Sequence, residues 1–254
     1  MKLHSLIQGE GTPLVILHGL FGMLDNWKSL GTQLSESFQV HLVDERNHGR
    51  SPHYAEHTYE AMASDLKEYF DEHNLSKAHI MGHSMGGKTA MRFALDYPEY
   101  VDRLIVVDIG PQFYPVHHRE IIDALLGVDL NEVSSRREAE EQLAKGIEVP
   151  ATRQFLLKNL YWIEKEKLAW RFNLHGINDQ IAHVGEALRH GEHYEGPTLF
   201  IAGGNSDYIN AGAFAHIQEH FSNAEVETIQ GAGHWVHAEK PKELLTEVLQ
   251  FLTN

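Results

Sequence analysis

His79-Ile80-Met81-Gly82-His83-Ser84-Met85-Gly86-Gly87-Lys88-Thr89-Ala90 is the stretch from which the architecture of this chain can be read. Its first part continues from Ala78 and predicts a short buried strand over residues 78–81. Its second part predicts a helix that starts just after Ser84. Between them, Gly82-His83-Ser84-Met85-Gly86 fits the pattern G-x-S-x-G. The reason for the glycines is steric. A serine on a sharp strand-to-helix turn takes strained backbone angles, and side chains two residues to either side collide there. The turn lifts the Ser84 hydroxyl above the sheet and aims the first helical N–H groups at it. Those groups, with the helix dipole, favour a developing oxyanion. A five-residue pattern with three fixed positions recurs by chance, so the rest of the chain has to supply a histidine, an acid and a second oxyanion donor.

The chain has 254 residues, enough for one large α/β domain or a core domain carrying an insertion. With 42% hydrophobic and 22% charged residues it reads as an ordinary globular protein. A formal charge of −15 argues against nucleic acid and anionic membrane surfaces as partners. The absence of cysteine removes disulfides, thiolate nucleophiles and thiolate metal sites together. Residues 1–11 contain no apolar core of a signal peptide, and no run approaches eighteen apolar residues, so a cytoplasmic protein is the expectation. The nineteen histidines form no H-E-x-x-H pattern, and the one adjacent pair is His117-His118. No metal site is therefore expected.

Outward from the elbow, strands and helices alternate. Residues 2–7, 14–17, 39–43, 103–108, 197–202 and 225–229 predict strands. Residues 26–34, 59–73, 84–97, 213–221 and 241–252 predict helices, with Thr58 as an N-cap. Pro98 stops the elbow helix. The alternation lapses between residues 111 and 195. There, residues 119–126, 135–146, 151–160 and 183–189 read as helices, and no strand signal is seen. The expected domains are a core of residues 1–110 and 196–254 with a helical cap of residues 111–195. Together they predict a mostly parallel, doubly wound sheet that binds ligands at the carboxyl ends of its strands. The cap carries Phe113, Tyr114, Phe155, Tyr161, Trp162, Trp170 and Phe172, most of which are expected to pack cap on core.

Serine is a poor nucleophile until a base takes its proton, and the base needs a partner to fix its tautomer. His234, in the glycine-flanked loop Gly231-Ala232-Gly233-His234-Trp235 after the last strand, is the candidate base, and His237 is a weaker one. The acid is either Asp108, at the end of the strand after the elbow helix, or Asp207, 27 residues before His234. The loop His18-Gly19-Leu20-Phe21-Gly22 follows a buried strand directly. It offers the Leu20 N–H as one oxyanion donor, with the Met85 N–H as the other. Phe21 and Trp235 are the candidate substrate-binding residues.

These blocks, with Asp44-x-Arg46-Asn47-His48-Gly49-x-Ser51, Asp108-Ile109-x-Pro111, Gly203-Gly204-Asn205-Ser206 and Gly233-His234-Trp235-Val236-His237-Ala238-Glu239-Lys240-Pro241, resemble the α/β-hydrolase fold across essentially the whole chain. More narrowly they resemble small bacterial esterases and acyl-CoA thioesterases related to mitochondrial abhydrolase proteins. In that branch the acid is usually the aspartate matching Asp108, whereas the wider superfamily favours the place of Asp207. Asp108 is favoured here and Asp207 stays open. The resemblance implies hydrolysis of small acyl esters, or of acyl thioesters, through an acyl-enzyme on Ser84 without a cofactor. Arg46, His48, Arg50, His117, His118 and Arg119 offer a positive rim for the phosphates of a coenzyme A ester. Two competing readings are a carbon–carbon lyase or hydrolase of the menaquinone-pathway type on the same fold, and a non-catalytic ligand-binding module.

Overall fold

In a computed structural model the chain is described at residues 1–116, 118–165 and 167–254. His117 of the expected rim lies outside these residues. In chain order the elements are β1 (Ser5–Gln8), β2 (Pro13–Leu17), α1 (Lys28–Leu34), β3 (Gln39–Val43), α2 (Tyr59–Glu72), β4 (Ala78–His83), α3 (Met85–Asp96) and β5 (Val101–Val107). Then come α4 (Arg119–Leu126), α5 (Arg136–Leu143), α6 (Pro150–Leu157), β6 (Leu160–Glu164), β7 (Lys167–Trp170), α7 (Leu174–Asp179) and α8 (Ile181–Val184). The chain closes with β8 (Thr198–Gly203), α9 (Ala213–His220), β9 (Ala224–Ile229), α10 (Val236–Glu239) and α11 (Pro241–Thr253).

Seven strands form one sheet in the order β1-β3-β2-β4-β5-β8-β9. β1 runs antiparallel to β3, and every other pairing is parallel. This is the α/β-hydrolase fold, a mostly parallel sheet wound on both sides. The period-2 alternation of side chains sorts the strands into two cores. Val15, Leu17, Ile80, Leu104, Val106 and Phe200 face α2, α3 and α9. Leu14, Ile16, Met81, Ile105, Val107, Leu199 and Ile201 face α1 and α11. The central strands are buried on both faces, which is why they read as continuous apolar runs. Thr58 caps α2, its side chain accepting the Ala61 N–H at 3.3 Å. No helix among the described residues is long and apolar enough to cross a membrane.

Residues 111–195 enter after β5 and leave before β8. They pack on the sheet edge through a third cluster, in which Leu20, Phe21, Tyr59, Met62 and Met85 meet residues of α4 to α7 and of β6 and β7. Two expectations are corrected here. The segment is not wholly helical, because β6 and β7 pair as an antiparallel hairpin. Leu-Tyr-Trp-Ile at 160–163 is a β-prone run, but only Leu160 of it is buried, with Leu168 and Trp170 opposite, so the alternation is one-sided and short. The helix expected over 183–189 lies earlier, in α7 and α8. Residues 185–188 instead spend their backbone on the start of the insertion, with Tyr114 N–H donating to Gly185 O at 2.8 Å and Leu188 N–H to Pro111 O at 2.9 Å.

Lys88 on α3 fastens the same two stems. Its side chain is fully buried, and Nζ donates to the carbonyls of Pro111 (3.1 Å), Gln112 (2.7 Å) and Glu186 (2.6 Å). Burial pushes the ammonium down to about 7. Three acceptors nevertheless match the three N–H bonds that only the charged form carries.

Glu45, just beyond β3, is 3% exposed, and burial pushes its carboxyl up to about 8. It is protonated in the fold at neutral pH, while the unfolded chain returns it to the ordinary value of 4.5. A folded value above the unfolded one gives stability that is whole below the unfolded pKa and is lost as pH rises through the folded one. The thermal midpoint of the parent, measured against Glu45→Gln, is therefore expected to fall between about pH 5 and about pH 8. A difference that stays constant over that range would remove Glu45 as the titrating group.

Candidate active site

The ends of β2, β4, β5, β8 and β9 converge on one edge of the sheet and position the site. At the β4–α3 junction Ser84 adopts φ 53° and ψ −118°, a conformation that costs a non-glycine residue roughly 1–3 kcal/mol. The flanking glycines make it feasible. A Cβ on Gly82 would lie 2.1 Å from the Gly86 carbonyl oxygen, and a Cβ on Gly86 would lie 2.5 Å from that of His18. The elbow is thus threaded between its own helix and the loop after β2. The Ser84 N–H is held by Val107 O at 3.0 Å, which ties the elbow to the end of β5.

Asp108 follows β5 at once, also at positive φ (52°), and is fully buried. His234 reaches over from the loop after β9. Its Nδ1 lies 2.7 Å from Asp108 Oδ2 and its Nε2 3.0 Å from Ser84 Oγ. An ionised carboxylate can only accept, so Nδ1 carries the proton and the bare Nε2 accepts the Ser84 hydroxyl. Asp108 takes two further donors, the Gly203 N–H at 2.9 Å on Oδ1 and the Ser206 hydroxyl at 2.5 Å on Oδ2. The loop carrying His234 is fixed by His83, whose Nε2–H donates to His234 O at 2.8 Å. Burial, then the neighbouring His234 and His237, hold His83 well below the ordinary histidine value, so it stays a neutral donor. The Tyr208 ring stacks on His234 at 4.1 Å between centroids.

The loop after β2 brings in the second half of the site. The Phe21 N–H is taken by His48 Nε2 at 3.1 Å and the Gly86 N–H by His18 O at 3.1 Å. The two N–H groups beside them, those of Leu20 and Met85, have no protein acceptor among the described residues. Met85 opens α3, where the first N–H groups have no partner within the helix. A hydroxyl bonded to an imidazole, an imidazole bonded to a buried carboxylate, and acceptor-free N–H groups on Leu20 and Met85, which each line a cavity with Ser84, form a constellation able to transfer an acyl group.

Two cavities flank Ser84. The larger, about 260 Å³, is lined by Leu20, Phe21, Trp27, Phe155, Leu156, Trp235 and His237 together with Ser84 and His234. The smaller, about 20 Å³, is lined by Tyr59, Met85, Ile109, Tyr114, Val184 and Tyr208.

Of the residues expected from sequence, Ser84, His234, Asp108, Leu20, Met85, Phe21 and Trp235 are brought together. Asp207 is not. It is exposed beyond the turn after β8, and its carbonyl accepts from Asn210. Ser206, one position earlier, is the residue of that turn that reaches Asp108. His237 lines the cavity but stacks on Trp27 at 4.6 Å, and burial pushes it down to about 4. The expected positive rim is also corrected. Arg46 is buried and bound through Nε and Nη2 to Asp65 at 2.6 and 2.9 Å, and His48 is fully buried. Arg119 is bonded to Asp123 and Asn178, and Arg50 lines a separate cavity. His118 does line the cavity at Ser84. Ser206, quoted only as part of the block Gly203-Gly204-Asn205-Ser206, and Tyr208 were given no role in the sequence, because a turn residue after a glycine pair carries no mark of what it will touch.

Comparison with known proteins bears on this site. A family model described as alpha/beta hydrolase fold matches residues 12–241. The sn-1-specific diacylglycerol lipase ABHD11 of Danio rerio is 39% identical over 253 residues, covering 96% of this chain and 80% of that protein. Esterase YbfF of Escherichia coli (strain K12) is 37% identical over 250 residues, covering 97% of this chain and 95% of that protein. Among solved structures, one titled "Marine microorganism esterase" superimposes with a TM-score of 0.96 at 42% identity, covering 98% of this chain and 99% of that one.

Proposed function

Because the chain belongs to the α/β-hydrolase fold family, with esterases and lipases as relatives, and is thereby an ester hydrolase, we propose that it is a serine carboxylesterase acting on short-to-medium acyl esters. The observation that carries this reading is the unbroken chain of hydrogen bonds from Ser84 through His234 to Asp108. Ser84 Oγ attacks the acyl carbonyl while its proton passes to His234 Nε2. Asp108 holds the imidazolium that results. The Leu20 and Met85 N–H groups receive the oxyanion, and its collapse expels the alcohol, which takes the proton from His234. Water then attacks the acyl carbon as it gives a proton to His234, and collapse of the second oxyanion breaks the bond to Ser84 Oγ, which takes that proton back from His234 as the acid leaves. No step calls for a metal or an organic cofactor.

Residues 111–195 act in this reading as a cap that walls the larger cavity, with Phe155 from the cap packed on Trp235 at 5.5 Å. Phe21 and Trp235, which line this cavity, are its substrate-binding residues. A cavity of about 260 Å³ is smaller than those that enclose drug-sized ligands, which favours modest acyl or alcohol groups. The burial of Arg46 and His48 removes two of the cations that a coenzyme A ester was expected to meet, which favours simple esters over thioesters.

Intact mass after exposure to a small fluorophosphonate tests the reading. One adduct is expected, mapping to Ser84 and absent in His234→Ala. A panel of aryl esters is expected to turn over fastest with short chains. A folded protein that forms no adduct and hydrolyses no ester would favour the ligand-binding reading. An adduct without ester turnover would favour carbon–carbon bond cleavage.

A further inference from the structure

Phe21 holds a left-handed backbone, φ 57°, in the middle of the loop that carries the Leu20 N–H. Such a conformation persists in a bulky residue only where its surroundings over-determine it. Here both of its peptide groups are gripped. The N–H donates to His48 Nε2 at 3.1 Å, and His48 Nδ1–H is in turn committed to Arg46 O at 3.0 Å. The C=O accepts from Asn159 Nδ2 at 2.7 Å. His48 comes from the core, in the loop after β3. Asn159 comes from the insertion, between α6 and β6, 138 positions away in sequence. Both are buried, at 0% and 1% exposure. Asn159 is itself fixed, its backbone O accepting the Arg171 N–H across the hairpin at 2.9 Å.

We propose that Asn159 and His48 are positioning residues that clamp the Phe21 peptides and so hold the adjoining Leu20 N–H in the orientation that receives the oxyanion. The proposal rests on the reading of Ser84 as an acyl-transfer nucleophile. Its consequence goes beyond that reading. One of the two oxyanion donors is set in place by the insertion, so binding space and transition-state stabilisation are assembled by the same docking. Without the Asn159 amide, the Phe21 carbonyl is buried without a donor. The loop then relaxes out of the left-handed conformation, and the Leu20 N–H turns with it. Burial and the nearby His18 and His57 keep His48 well below the ordinary histidine value, so Nε2 remains an acceptor.

The test uses the full chain with Asn159→Leu, Asn159→Asp, His48→Leu and His48→Gln. Leucine matches the size of asparagine without its donor. Aspartate keeps its shape and so provides a readout if the leucine variant does not fold. Glutamine restores an acceptor at the place of Nε2. The readouts are kcat and KM for a short aryl ester, and the ratio of its rate to that of the thionoester with C=S in place of C=O. Sulfur is larger and accepts hydrogen bonds poorly, so this ratio reports the oxyanion donors alone. The expected result for both Asn159 variants and for His48→Leu is a kcat lower by about 10²-fold, the effect of losing one donor. KM is expected to stay within roughly threefold, with the oxo-to-thiono ratio collapsing towards one. His48→Gln is expected to retain most of both.

A folded Asn159 variant with parental kcat and parental ratio, in a protein whose Ser84 takes the fluorophosphonate, would overturn the clamp and leave the esterase reading standing. A lower thermal midpoint with unchanged kcat would likewise reduce Asn159 to packing. A parent that forms no Ser84 adduct would overturn the clamp together with the reading beneath it.

Discussion

Ser84→Ala is expected to lower kcat by about six orders of magnitude, the scale found when the nucleophile of a serine–histidine–acid unit is removed. Its origin is chemical rather than structural. The hydroxyl is the only oxygen that the elbow offers to the acyl carbon, and alanine leaves the φ 53° backbone, the flanking glycines and both free N–H groups in place. What remains should be the smaller acceleration that oriented N–H donors and a fitted cavity provide, roughly 10³–10⁴-fold over water. Initial rates with a short aryl ester, on protein whose thermal midpoint matches the parent, make the measurement. A variant keeping more than about 1% of parental kcat would place the nucleophile elsewhere.

Asp108→Asn should lower kcat by about 10⁴-fold, whereas Asp207→Asn should leave it within about twofold. An asparagine amide turned towards His234 donates where the carboxylate accepts. The imidazole would then carry its proton on Nε2, facing Ser84, and could not take the hydroxyl proton. Asparagine is among the residues that tolerate positive φ best, so the 52° backbone at position 108 should survive the change. The Gly203 N–H still finds an acceptor in the amide oxygen at the place of Oδ1, whereas the Ser206 hydroxyl, which shares Oδ2 with His234, has to turn and accept from the amide N–H. Steady-state kinetics on the two variants side by side decide the matter. A large loss in Asp207→Asn with activity retained in Asp108→Asn would move the acid to the loop after β8.

The parts of this site that sterics dictate were legible in the sequence. Gly82 and Gly86 have to be glycine because their Cβ positions lie inside other backbone atoms, and that need brackets Ser84 from both sides. The apolar runs of β2, β4, β5 and β8 were legible because burial on both faces favours consecutive apolar residues. The choice between Asp108 and Asp207 was not. Both follow a buried strand on the same edge, and only the packing of the loop after β8 turns Ser206 inward and Asp207 out. Arg46 and His48 were read as a surface rim because their partners are distant in sequence. Asp65 on α2 neutralises the first, and the Phe21 backbone occupies the second. The hairpin of β6 and β7 was hidden for a related reason. It packs by one face only, and its aromatic residues match a helix–core contact as well as a strand.

The three carbonyls around Lys88 make residues 112 and 186 neighbours through a single ammonium. Were the chain cut anywhere between α4 and α7, each stem would still be held to α3 by its own hydrogen bond from Lys88. Transplanting the insertion onto another scaffold would fail for the same reason unless a long cation were carried along at the position of Lys88. The insertion thus has core partners that must travel with it, Lys88 beneath its stems and the Phe21 peptide beneath Asn159.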